Sequence, residues 1–169
     1  MTTPFNVGYY ERRGRAKKKD LLKFLKKVAR KKPRNLLSTN KTLGAETWNE
    51  VECLSCANCC KKMTPTFKKA EVKRIAAHVG MTYKEYFDKY LYIEEDTGDI
   101  VNQNTPCQHL NLKDNKCDVY EIRPADCRLF PHFQRRDFND ISETIGDNVS
   151  RCPASLIFVE KLQHALEGK

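Results

Sequence analysis

Apolar positions recur along this chain in stretches separated by clear breaks, and their spacing predicts mostly helix. Leu21, Phe24, Leu25 and Val28 stand at i, i+3, i+4 and i+7, which predicts an amphipathic helix over 17–32, with Asp20 near its start and Pro33 just past its end. Residues 1–16 lack that periodicity, are rich in charge and include Gly8 and Gly14, so they are expected to be disordered or loosely attached. Residues 36–51 are ambiguous, although 45–51 could form a short helix anchored by Trp48. Val72, Ile75, Ala76 and Val79 predict a further helix, capped by Thr66 and stopped at Gly80. Another begins at once, because Thr82 followed three residues later by Glu85 is a capping box, with Tyr86, Phe87, Tyr90 and Leu91 as its apolar side.

From Tyr92 to Gln103 the pattern becomes that of a hairpin around Asp96-Thr97-Gly98-Asp99, where Gly98 supplies the positive φ of a tight turn. A second turn signal, Lys113-Asp114-Asn115-Lys116, follows, and a short helical segment is expected from Ala125. Pro153, then Leu156, Val159, Leu162 and Leu166 with Ile157 and Phe158 beside them, predict a closing helix over 153–166. The fold class expected is mainly α with a small β-hairpin and an irregular cysteine-rich metal-binding core. Two regions are expected: a basic N-terminal arm with its amphipathic helix at 1–35, and a cysteine-cluster domain at 36–169.

Charge sharpens the reading of the arm. The chain has 169 residues and a net charge of +9, and thirteen Lys/Arg fall between residues 11 and 35 against only Glu11 and Asp20. The remainder is therefore close to neutral. A basic amphipathic helix offers a surface for nucleic acid or anionic lipid, but one stripe of four apolar residues is also what docking on a domain requires, and docking is the favoured reading. No apolar run suits a signal peptide or reaches the roughly 18 residues of a membrane span. A cytoplasmic protein without a membrane span is expected, and in a reducing compartment eight cysteines point to metal ligation or redox chemistry rather than disulfides.

The cysteines carry the candidate chemistry. Cys53, Cys56, Cys59 and Cys60 fall within eight residues, and Cys107, Cys117, Cys127 and Cys152 follow in the C-terminal half. Thiolates two residues apart can be turned by one tight loop onto a single soft metal or one edge of an iron-sulfur cube. Eight thiols make two sets of four, enough for two zinc sites, two 4Fe-4S clusters, or one of each. The C-x2-C-x2-C spacing of Cys53, Cys56 and Cys59, with the remote Cys152-Pro153, is that of a ferredoxin-like run and favours iron-sulfur over zinc. Cys60, adjacent to Cys59, is assigned with Cys107, Cys117 and Cys127 to a second site.

Arg123 and Arg128 flank the later cysteines, where each could donate to sulfur or simply shape the turn before Cys127. Lys61 and Lys62 could offset thiolate charge, although solvation is the simpler reading. Tyr120 and Phe130 are read as an apolar shell. His78, His109, His132 and His164 stay outside the ligand set. The chain has no glycine-rich phosphate loop, no H-E-x-x-H and no C-x3-C-x2-C run.

Cys53-x2-Cys56-x2-Cys59-Cys60, Pro106-Cys107-x2-Leu110 and Cys117-x-Val119-Tyr120-x2-Arg123-Pro124-x2-Cys127-Arg128-x-Phe130-Pro131 together resemble the CxxCxxCC cysteine-cluster family, YkgJ-like proteins thought to chelate zinc or iron. The resemblance covers about residues 50–155 and leaves the basic arm outside. It implies a metal or iron-sulfur site, since the same motif occurs in flagellin lysine N-methylases, where the family relationship implies a cluster. The leading expectation is a metal- or iron-sulfur-binding protein in electron transfer or metal and cluster handling, working with an unidentified protein or redox partner. Its rivals are a protein-modifying or redox enzyme related to those methylases, and a zinc-stapled nucleic-acid-binding protein that uses the arm.

Overall fold

The computed structural model describes residues 6–135 and 137–168. Along the chain come α1 (Val7–Lys31), α2 (Leu36–Glu50), α3 (Cys53–Cys56), α4 (Asn58–Lys62), α5 (Lys69–His78) and α6 (Tyr83–Tyr90). They are followed by β1 (Leu91–Ile93), β2 (Ile100–Asn102), a 3-10 turn (Tyr120–Ile122), α7 (Ala125–Leu129), α8 (Ser142–Asn148) and α9 (Pro153–Glu167). The protein is mostly helical with one small two-stranded antiparallel sheet, as the pattern of apolar positions predicts. Among the described residues no helix is long and apolar enough to cross a membrane.

The chain forms two compact units, residues 1–56 with 131–169 and residues 57–130. In the first unit α1 lies against α8 and α9, and α2 packs on α9. The stripe expected on α1 is the one that is buried: Leu21, Phe24, Leu25 and Val28 are all at most 4% exposed. Lysines on its flanks pair with acids of the same unit, Lys17 with Glu160, Lys18 with Asp147, Lys26 with Glu143 and Lys27 with Glu167. The basic helix is thus docked on its unit by its apolar stripe.

Helix α1 starts ten residues before the expected position. Residues 1–5, part of the stretch expected to be disordered, lie outside the described residues, but 7–16 are helical. The Asn6 side chain accepts from the Tyr9 N–H at 2.9 Å, and Arg13 pairs with Glu160 at 3.0 Å. Gly14 explains why hydropathy missed this extension: the helix touches its neighbour through a residue with no side chain. A Cβ there would stand 2.0 Å from the Val149 carbonyl oxygen. Helix α2 was obscured in the same way, because its buried stripe is Leu36, Asn40, Gly44 and Thr47, helically spaced but mostly small or polar. Trp48 is 38% exposed yet lies 5.9 Å, centroid to centroid, from Phe133, which stacks on Phe158 at 4.0 Å.

The second unit has its own core of Phe67, Val72, Ile75, Ala76, Tyr86, Leu91, Ile100 and Val119. Fully burying one such apolar side chain contributes about 1.5–3 kcal/mol before entropy is counted. Lys68, not Thr66, occupies the N-cap of α5, because the Glu71 carboxylate reaches back to accept from the Lys68 N–H at 2.8 Å, while the Thr66 N–H donates to Asp126 instead. Val79 lies past the last turn and is exposed, which shortens the expected apolar face. The capping box at α6 is present in both directions, Glu85 N–H to Thr82 Oγ1 at 3.2 Å and Thr82 N–H to Glu85 Oε2 at 2.8 Å. The hairpin pairs Leu91 with Asn102, Tyr92 with Val101 and Ile93 with Ile100, and Gly98 turns it at φ +73°.

Candidate metal centre

Each cysteine sits where a short element or a tight turn holds it. Helix α3 presents Cys53, exposed, and Cys56, buried. Cys152 occupies the N-cap of α9, directly before Pro153, and is buried. Burial pushes its thiol up to about 12, negative charge on Cys53 and Cys56 adds to the rise, and the Ser155 backbone N–H and side chain act in the opposite direction. The remote cysteine therefore shares an electrostatic neighbourhood with the first two of the run.

The boundary between the units falls between Cys56 and Ala57, inside the C-x2-C-x2-C-C run. Ala57, at φ +46°, makes the left-handed turn into α4, which carries Cys59 and Cys60. Their sulfurs are 3.9 Å apart. Cys60 is pushed up by its hydrogen bond with Cys59, by burial and by Cys59's charge, with Lys61 pulling the other way. The charge of Lys61, directly after the run, acts on the Cys60 sulfur.

The remaining thiols gather around Cys60 within the second unit. The Cys107 backbone N–H donates to the Cys60 carbonyl at 2.8 Å, which ties the loop after the hairpin to α4. Cys117 lies in a bridge with Leu110, formed across the turn that sequence assigned to 113–116, with Asn115 at φ +60°. Cys127 rides on α7. Burial raises Cys107, Cys117 and Cys127, and so does the charge of their companions: Cys60 on Cys107, Cys107 and Cys60 on Cys117, and Cys60, Cys107 and Cys117 on Cys127. Backbone N–H groups of His109 and Val119 offset the effect at Cys107 and Cys117. Four thiols that resist joint ionisation are what a cation or a cluster of iron and sulfide would relieve.

All eight cysteines are free thiols. Among the described residues no group of three or more His, Cys, Asp or Glu side chains is drawn into the geometry that holds a metal ion. The donor chemistry nonetheless suits zinc or iron: sulfur donors, partly buried, with N–H groups facing them.

The arginines serve the backbone. Arg123 donates to the Tyr120 carbonyl at 2.5 Å with its guanidinium 3.7 Å from the centre of the Tyr120 ring, and Arg128 reaches the Arg123 carbonyl at 3.5 Å. Of the two readings of these residues, shaping the turn before Cys127 is the one these contacts favour. The sequence did not single out Asn102 and Gln108, read Tyr86 only as part of an apolar helix face and set His109 aside, yet these four form a hydrogen-bonded chain beside Cys107. A polar residue at the end of the short strand Ile100-Val101-Asn102, all of it buried, was the available signal.

Residues 52–152 match the CxxCxxCC family, described as a "Putative zinc- or iron-chelating domain". The chain belongs to that family. An uncharacterized protein of Methanocaldococcus jannaschii is 30% identical over 81 residues, covering 47% of this chain and 43% of that protein. The chain thus spans less than half the length of that relative. No solved structure matches.

Proposed function

We propose that the protein binds iron-sulfur clusters or zinc through its eight cysteines and serves electron transfer or the handling of metal and clusters. The observation that carries the reading is the gathering of Cys60, Cys107, Cys117 and Cys127, each of the last three raised by the charge of others in the set. A second group, Cys53, Cys56 and Cys152, supplies ligands from the other unit. Sulfur donors alone suit soft metals, and the C-x2-C-x2-C spacing with a remote Cys-Pro favours iron-sulfur over zinc. Eight free thiols are compatible with a reducing compartment such as the cytoplasm.

The chain's own residues would act by holding thiolates, by directing backbone N–H groups at sulfur, and by limiting water around the partly buried set. A bound cluster would supply one-electron chemistry at a potential set by those contacts. The test is anaerobic purification with iron, sulfide and zinc counted per chain. Iron with sulfide and a broad absorption near about 400 nm supports clusters, and colourless protein with stoichiometric zinc supports the structural alternative. Metal-free protein in which all eight thiols react with a thiol reagent under native conditions overturns both.

A further inference from the structure

We propose that the solvent-facing side of α1 is a docking surface for the phosphodiester backbone of a nucleic acid, gripped by a row formed by Arg12, Arg15, Lys19, Lys23, Lys26 and Arg30. No cysteine belongs to this surface, and it occupies the side of the basic helix that packing leaves unused.

The row follows from spacing. Its members advance by three or four residues, so at about 100° per residue they share an arc of roughly 80° on the side opposite the buried stripe of Leu21, Phe24, Leu25 and Val28. All six are exposed, and the run from Arg12 to Arg30 is about 27 Å long. Among the described residues Arg12, Arg15, Lys19, Lys23 and Arg30 form no ion pair, whereas Arg13, Lys17, Lys18 and Lys27, which lie off the row, are matched by Glu160, Asp147 and Glu167. The fold thus neutralises the cations beside the row and leaves the row itself uncompensated. Lys26 does meet Glu143 at 3.0 Å, but both side chains are mostly exposed, so water screens the pair and a phosphate can displace the carboxylate. A shallow groove continues the cationic face, with Lys23, Lys27, Arg30 and Lys32 along it and Asp140 and Glu143 opposite.

A nucleic acid fits this face better than a protein or a bilayer does. Like charges about 5–6 Å apart along a helix repel one another, and a partner of dense, regular negative charge relieves that. One strand of a duplex carries a phosphate about every 3.4 Å of axis, so about eight lie within the length of the row. Arg12, Arg15 and Arg30 can each offer a phosphate two parallel N–H bonds. A protein interface is centred on aromatic and apolar anchors, and no such side chain interrupts the row. A helix that lies in a membrane puts its apolar face into the acyl boundary, whereas here that face is at most 4% exposed and packs on α8 and α9.

The test is fluorescence anisotropy of the full chain, as purified, with a mixed-sequence DNA duplex of about 20 base pairs and a single-stranded RNA of about 20 nucleotides, each longer than the row. Over a salt series, about five or six phosphate contacts should give a slope of log K on log salt near about −5 for the duplex and about −4 for the single strand. Whichever binds tighter names the source of the phosphodiester. Arg12→Gln, Arg15→Gln, Lys19→Gln, Lys23→Gln and Arg30→Gln combined should flatten the duplex slope by about 4 and weaken binding by about a hundredfold or more at about 0.1 M salt. Removing as many charges elsewhere, by Gln at the exposed Lys41, Lys69, Lys73, Lys113 and Lys116, should leave the slope near that of wild type. If the row variant does not fold, Lys19→Gln with Lys23→Gln carries the test, flattening the slope by about 2. No binding at low salt, a slope unchanged by the row substitutions, or equal weakening by the two sets overturns the proposal. So does a wild type that binds vesicles of phosphatidylserine and phosphatidylcholine but neither nucleic acid, which would make the row a membrane contact.

Discussion

The Ala125 backbone N–H donates to Glu71 Oε1 at 2.8 Å, while Glu71 Oε2 accepts from the Lys68 N–H at 2.8 Å. One carboxylate, 7% exposed, thus closes the first turns of both α5 and α7, where unpaired N–H groups and the positive end of the helix dipole favour a negative charge. Because α7 carries Cys127, this contact fixes a cysteine through a residue 56 positions away in sequence. Replacing Glu71 by Ala should destabilise the protein by about 1.5–3 kcal/mol, the range for hydrogen bonds to a charged group. Glu71→Gln, which keeps one acceptor oxygen, should cost less. Denaturant midpoints measure both, and equal midpoints for wild type and Glu71→Ala would show that the carboxylate is dispensable.

Gly14 offers a test of the docking of α1. A methyl group placed there meets the Val149 carbonyl at 2.0 Å, backbone against backbone, so Gly14→Ala should destabilise by about 1–3 kcal/mol although alanine is the better helix former. Deleting residues 1–16 should lower the melting temperature, since it removes Gly14, Arg13 and the Asn6 cap, yet leave metal content unchanged, because the segment holds no cysteine. A Gly14→Ala protein as stable as wild type would mean that α1 is not held against α8 at this point.

Cys56 and Cys152 should behave as one unit toward metal. Negative charge on Cys56 raises the Cys152 thiol, and a site that has lost one ligand has little left for a second loss to remove. Cys56→Ser and Cys152→Ser should each lower bound metal by about one centre, and the double substitution by little more. Metal counts that fall independently in the two variants would separate these cysteines into different roles.

His109 gives the protein a weakness toward acid. Burial lowers its pKa below the ordinary 6.5, with Asp118 opposing the shift and His78 adding to it. The unfolded chain therefore binds a proton that the folded chain refuses, and stability present above pH 6.5 is lost as pH falls below it. The melting temperature should drop between about pH 6.5 and 5 more steeply in wild type than in His109→Gln, which has no proton to gain in this range. Parallel curves for the two proteins would remove His109 from the account.

What the sequence determined by itself was whatever depends on neighbours within a turn or two. The capping box at Thr82 and Glu85, the glycine turn at Gly98, Pro153 at the start of α9 and the close spacing of the first four cysteines are all local, and apolar periodicity sufficed for α1's stripe and for α9. The family relationship was legible for the same reason, since it resides in short motifs. Tertiary structure alone decided where α1 begins, because the contact at Gly14 is an absence of side chain that hydropathy cannot register. It also decided that Glu71 caps α5 in place of Thr66, since Thr66 is drawn instead to Asp126, 60 positions away. The sequence already assigned Cys60 with Cys107, Cys117 and Cys127, but their mutual proximity, and the hydrogen-bonded chain through Asn102, Gln108 and Tyr86, come about only when folding brings distant residues together. Their energies come from burial and from charges acting at short range, and neither exists along an extended chain.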